Sequence, residues 1–252
     1  HQIGSIMRPS CVRVVLLSVC LSLMTSMTVA AELPDWLQTR AQRLMSTRTS
    51  DPAHIDSLMV LSTELATHGD NNRAARCMEV AGIQAFYTAD LSRALEIWTA
   101  GLGFAREHGE RAREAGFLNA LAIGYTEDEQ LDKALLTHEQ SLGLKSAMGD
   151  SAGISRTWGN ISVVYRQMGR VAEALDATTE AERWNALVGN DAGDISLMVG
   201  RASIYNRLGR YHEAVQMADA ALAGLETTPV PYARGLALLF RGKAHMALSE
   251  DE

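Results

Sequence analysis

The chain has 252 residues, 47% of them apolar and 21% charged, with 20 Gly and 5 Pro. That balance excludes a disordered chain, a collagen-like fibre and a disulfide-rich mini-protein, and a formal net charge of −7 argues against nucleic-acid binding. Aromatic residues make up only 6% beside abundant Ala and Leu, which favours helices over a β-sandwich.

Residues 1–6 precede the first Met and read as an upstream remnant outside the fold. Residues 7–31 read as a secretory signal peptide. Arg8 and Arg13 supply the positive start, Val14 to Ala31 an uncharged apolar run, and Val29-Ala30-Ala31 a small-residue end cleaved near Ala30 or Ala31. The rival reading is an uncleaved anchor. At 18 residues, diluted by Ser18, Ser22, Thr25, Ser26 and Thr28, the run sits at the short limit for a span. A lipoprotein is disfavoured because Val19, rather than a small residue, precedes Cys20. The expected location is therefore periplasmic or secreted, or the inner membrane facing the periplasm if the segment is retained. Cleavage leaves 21 basic against 30 acidic residues and Cys77 as the sole cysteine, so the mature part has to rely on core packing. In its apolar helical setting Cys77 reads as a small buried hydrophobe.

Residues 32–69 read as N-terminal capping helices. Pro34 to Thr47 is a short helix with Trp36, Leu37, Ala41 and Leu44 on one side. Asp51 as N-cap and Pro52 in the first helical position then open a second helix, carrying Ile55, Leu58, Met59 and Leu65 up to Gly69.

A forty-residue period follows. Gly69, Gly109, Gly149 and Gly189 fall at that interval, each before Asp70, Glu110, Asp150 or Asn190. Ala94, Ala134, Ala174 and Ala214 keep it too, as do Tyr125, Tyr165 and Tyr205. Four units result: 70–109, 110–149, 150–189 and 190–228. Within the third, Trp158, Ile161, Ser162 and Tyr165 mark one helical face; Gly169 suits a left-handed helix end; Val171, Ala174, Leu175, Thr178 and Ala181 mark a second helix. Each unit is thus two antiparallel helices, A and B, joined by a short turn. The Ala column has a steric reason, because a single methyl lets neighbouring helices approach closely.

These residues resemble the tetratricopeptide repeat. Trp158, Ile161, Tyr165, Gly169, Ala174 and Ala181 fill its signature slots in order, as do Met198, Ala202, Tyr205, Gly209, Tyr211, Ala214 and Ala221. Gly82, Leu91, Ala94 and Trp98, then Leu121, Tyr125, Leu131 and Ala134, fit in the earlier units. The forty-residue length is similar to the variety seen in kinesin light chains and bacterial regulators. The resemblance implies an all-α, right-handed α-solenoid of stacked helix pairs from Asp51 onward. Departures at Ala89, Glu129 and Arg201 predict irregular turns and loosened packing. Residues 229–252 read as a partial fifth repeat or a C-terminal cap: Pro229 and Pro231 initiate a helix from Tyr232 to Leu248, whose Leu236, Leu239, Phe240 and Met246 favour the partial repeat.

No catalytic motif is evident. His138-Glu139, His212-Glu213 and His108-Gly109-Glu110 lack a second His four residues on, and Gly101-Leu102-Gly103-Phe104 lies within a helix and lacks the third glycine of a phosphate loop. His138, Trp98, Trp158 and Trp184 read as packing residues. The chain is therefore expected to be no enzyme and to need no cofactor or metal. The resemblance places a concave wall on the A helices and, on it, a groove for a protein or peptide. Its candidate residues are Arg76, Glu79, Phe86, Tyr87, Asn119, Glu127, Arg156, Asn160, Arg166, Gln167, Asn206 and Arg207. Asn and Gln can bond a peptide backbone, and Arg can grip a carboxylate with two donors. The expected function is an exported scaffold that binds a peptide or protein. The alternative is the extracytoplasmic sensory region of a membrane signalling protein, a histidine kinase or diguanylate cyclase, which would put a membrane span after the chain. The oligomeric state is left open.

Overall fold

The computed structural model describes residues 33–47, 49 and 51–250, so the segment read as a signal peptide lies outside the described residues. Among the described residues the structure is helical throughout: α1 Asp35–Ser46, α2 Pro52–Thr67, α3 Asn71–Tyr87, α4 Leu91–Glu107, α5 Arg111–Glu127, α6 Leu131–Met148, α7 Ser151–Gln167, α8 Val171–Ala186, α9 Asp191–Arg207, α10 Tyr211–Gly224 and α11 Ala233–Glu250. None of these helices is long and apolar enough to cross a membrane.

Consecutive helices pack on one another along the whole chain. In addition α3, α5, α7, α9 and α11 each touch the next of their own kind, two elements on. The A helices therefore form a continuous inner row, with the B helices stacked outside it. This is the open solenoid that the period predicts.

The period has a local cause at each corner. Gly69, Gly109, Gly149 and Gly189 follow B helices with positive φ, and the next residue is the N-cap of the following A helix. Asp70 and Asp150 accept from the amides of Arg73 and Gly153 at 3.0 and 2.8 Å, so a left-handed stop is joined directly to an N-cap. Asp51 does the same for α2, accepting from Ala53 N at 3.0 Å, with Pro52 in the first turn.

The turns inside the repeats are more regular than the sequence suggests. Ala89 and Glu129 take φ of 62° and 57°, close to the 76° and 71° of Gly169 and Gly209 in the equivalent slots. All four close with the same bond: Asp90 N to Ala85 O, Gln130 N to Tyr125 O, Arg170 N to Tyr165 O and Arg210 N to Tyr205 O, at 2.8–2.9 Å. The six-to-one hydrogen bond fixes the turn, and a non-glycine residue is forced into it at a cost of about 1 kcal/mol. The predicted irregularity is thus replaced by local strain.

Arg201 likewise leaves no loose packing. It occupies the slot of Ile161, but its guanidinium grips both oxygens of Glu182 at 2.8 and 2.6 Å and reaches Thr179 Oγ1 at 3.0 Å. Both partners lie on α8, so the arginine ties the two repeats together.

The conserved spacing of Ala94, Ala134, Ala174 and Ala214 corresponds to four side chains with no exposure. The tyrosine column serves the next B helix: Lys133 lies 3.8 Å over Tyr125, Arg170 4.6 Å over Tyr165 and Arg210 4.4 Å over Tyr205. In α1, Leu37 and Ala41 are buried as expected, but Trp36 is 57% exposed. It lies one residue, hence about 100° of helix, off the Leu37 stripe. Cys77 is buried, and desolvation, with a smaller contribution from Asp70, pushes its thiol up to about 12.

Candidate functional site: the inner wall of the A helices

Three clefts open along the inner row. The first, of about 530 Å³, lies between α3, α5 and the start of α7. The second, of about 770 Å³, runs across α5, α7, α9 and α11, and the third, of about 390 Å³, lies between α9 and α11. Volumes of this order suit small ligands or short peptide segments.

Helical spacing decides which side chains reach them. Glu79, Ile83 and Phe86 on α3 line the first cleft, and Asn119 and Ile123 on α5 line the first and second. Arg156, Asn160, Val163 and Arg166 on α7 continue the row into the second, and Asn206 and Arg207 at the end of α9 line the third. Ten of the twelve sequence candidates thus border a cleft: Arg76, Glu79, Phe86, Tyr87, Asn119 and Arg156 the first, Asn119, Arg156, Asn160 and Arg166 the second, Asn206 and Arg207 the third. Glu127 and Gln167 are exposed at the C-terminal ends of α5 and α7 and border none of the three.

The first cleft has an aromatic corner. Phe86 and Tyr87 meet edge to face with centroids 5.9 Å apart, and Phe86 lies 5.9 Å from Trp98. Trp98 fits because residue 82 is glycine: a Cβ there would stand 2.2 Å from Trp98 Nε1. Opposite, Glu79 holds Arg76 at 2.9 Å and Arg113 at 3.2 Å, and Arg113 also donates to Asn72 Oδ1 at 3.0 Å.

A polar thread joins the first cleft to the second. Lys145 on α6, only 5% exposed, donates to Thr157 Oγ1 at 2.6 Å. Thr157 lies 3.3 Å from Asn119 Oδ1, which also accepts from Asn160 Nδ2 at 3.2 Å. Burial, then the charge of Arg156, push the Lys145 ammonium down to about 8, with Asp150 and Glu79 opposing. Seven residues earlier on the same helix, buried His138 is pushed down to about 3 by desolvation and then by Lys145.

The second and third clefts are basic. Arg166 donates to Ser203 Oγ at 2.8 Å, and burial followed by the charge of Arg207 lowers the pKa of its guanidinium. No carboxylate pairs with Arg166 or Arg207 among the described residues. Asn206 donates to Phe240 O at 2.9 Å, docking α11 against α9. Among the described residues no three His, Cys, Asp or Glu side chains group as metal ligands.

Sequence reasoning missed Arg113, Lys145, Phe240 and Lys243, all of which line clefts. For Lys145 a signal existed: it puts a charge in a column otherwise held by Ala105, Asn185 and Leu225.

No family model and no curated protein matches the sequence. Solved structures do. BtubC (BKLC) from P. vanneervenii is similar with a TM-score of 0.67 at 17% identity, over 83% of this chain and 84% of that one. A putative kinesin light chain from Podosopora anserina with nearly identical TPR-like repeats aligns at 0.55 and 16% identity, over 69% and 87%. A chain of the APC/C hetero-tetramer Cut9–Hcn1 aligns at 0.54 and 15%, over 82% and 39%. The fold is that of the tetratricopeptide-repeat solenoid.

Proposed function

We propose that the chain is an exported, non-catalytic scaffold whose inner wall holds an extended acidic segment of a protein partner. The observation that carries the reading is the pair Arg166 and Arg207: two guanidiniums on a trough, without carboxylate partners among the described residues, in a protein of net charge −7. Asn119 and Asn160 share the second cleft with Arg166 and can bond the backbone of an extended peptide. Ile123, Val163 and Leu197 offer apolar surface between. One solved structure of this fold works within a hetero-tetramer, a use consistent with a scaffold.

Export is supported by Arg8, Arg13 and the apolar run from Val14 to Ala31. Fusing residues 1–35 to a reporter that is active only after export tests that part directly.

The groove is tested with a library of labelled acidic peptides by fluorescence anisotropy. Binding is expected to weaken with salt, and Arg166→Glu with Arg207→Glu to weaken it by about 100-fold or more, since each charge-assisted pair lost costs about 1.5–3 kcal/mol. Unchanged affinity in the double variant would remove the assignment.

A further inference from the structure

Lys145 is anomalous in its repeat column. Ala105, Asn185 and Leu225 fill the equivalent positions, all buried, and Asn185 satisfies itself on Asn190 O and Asp194 Oδ1. Lys145 instead spends an ammonium there, with only the neutral Thr157 hydroxyl accepting from it. Its stem runs beside Gly153, where a Cβ would meet the capping Asp150 carboxylate first and then Lys145 Cδ at 3.0 Å. Burying an unpaired cation is costly, so an external anion is the missing partner.

The carboxylates of this cleft are already engaged. Glu79 is shared by Arg76 and Arg113, and Asp150 caps the amide of Gly153. Lys145 and Arg156 line the same space of about 530 Å³ with no ion pair among the described residues, close enough that each charge acts on the other. Phe86 and Tyr87 stand on the same cleft, Tyr87 being 76% exposed. An exposed aromatic beside two spare cations is a surface for a ligand that is flat and apolar at one end and charged at the other.

We propose that this cleft binds a small phosphate monoester, its dianion held by Lys145 and Arg156 and its flat apolar body laid against Phe86 and Tyr87. Two unpaired cations match a dianion better than a carboxylate, which would leave one charge uncompensated. Arg156 and Asn119 border the second cleft as well, but Lys145, Phe86 and Tyr87 do not, so Lys145→Met tests this site and the Arg166→Glu, Arg207→Glu pair tests the acidic-peptide reading.

The charged groups that share the cleft with Lys145 are Glu79 and Arg76 of α3, Arg113 of α5, and Asp150 and Arg156 at the start of α7; His138 lies on its own helix. Since the Lys145 ammonium loses its proton near pH 8, affinity falls as pH rises through that value.

Titration calorimetry on the whole chain tests this with phenyl phosphate, inorganic phosphate, phenylacetate and benzyl alcohol as probes at neutral pH. Phenyl phosphate is expected to bind in a 1:1 ratio and more tightly than the other three. Lys145→Met and Arg156→Ala are each expected to weaken it about 10-fold or more. The alkaline fall in affinity is expected to persist in Arg156→Ala, moved to higher pH because the Arg156 charge no longer lowers the Lys145 ammonium, and to vanish in Lys145→Met. Lys145→Met removes a buried charge and is expected to melt no lower than the parent, which separates lost binding from lost folding. Phenylacetate or inorganic phosphate binding as tightly as phenyl phosphate, equal affinity in Lys145→Met, or no saturable binding of phenyl phosphate would overturn the proposal.

Discussion

His138 lies in α6 with no exposure, and neither ring nitrogen has a hydrogen-bond partner among the described residues. Desolvation and the nearby Lys145 charge push its imidazole from 6.5 to about 3. The folded chain therefore refuses a proton that the unfolded chain takes up. Above pH 6.5 neither state is protonated and titration contributes nothing; as pH falls below 6.5 the unfolded state gains about 1.36 kcal/mol per unit until the folded value near 3 is reached. At pH 5 the loss from this one residue is about 2 kcal/mol. The comparison is with His138→Thr, since Thr178 fills the slot in the next repeat and is buried there. Urea unfolding of both proteins at pH 7.5, 6 and 5 reads the effect. The variant is expected to be less stable at pH 7.5, because it leaves a cavity, and to close the gap by about 2 kcal/mol at pH 5. Parallel pH profiles for the two proteins would refute the reasoning.

Five further substitutions test the packing, the turns and the buried charge. Gly82→Ala puts a methyl against the Trp98 ring and is expected to destabilise by about 1–3 kcal/mol in thermal melts, whereas Gly103→Ala, with open space around it, is expected to be neutral or stabilising. Glu129→Gly relieves a left-handed glutamate and is expected to raise stability by about 0.5–1 kcal/mol; Gly169→Ala imposes the same strain and is expected to lower it by about 1 kcal/mol. Lys145→Met is expected to stabilise by up to about 3 kcal/mol at pH 7. The unfolded lysine holds its proton up to 10.5 and the folded one only to about 8, so that gain is full below pH 8 and fades as pH rises to 10.5.

The solenoid was legible in the sequence because a left-handed glycine recurs at every B-to-A junction between Gly69 and Gly189. A left-handed glycine beside an N-capping Asp marks the B-to-A junction at Gly69-Asp70 and Gly149-Asp150, and buried alanines mark the helix crossings. Glycine columns alone mislead at Ala89 and Glu129, where the hydrogen-bonded turn overrides residue preference. Helical spacing placed most of the inner wall, since Asn119, Arg156, Asn160 and Arg166 follow one stripe. Glu127 and Gln167 border none of the three clefts, although Tyr87 and Arg207 in the same repeat slot do. Lys145 and Phe240 were missed because they arrive from α6 and α11, outside the A-helix columns of the four units. Arg201 looked like a defect because its partner Glu182 is 19 residues away, a pairing that spacing within one helix does not reveal.

The central claim is that the inner row of A helices, and not the outer surface, holds the partner. A photoreactive residue placed at Val163, on the wall of the largest of the three clefts, is compared with one at Gln140, exposed on α6. With an acidic peptide that binds in the anisotropy assay, irradiation is expected to attach the peptide at Val163 and leave Gln140 unmodified. Attachment at Gln140 in preference to Val163 would contradict the account.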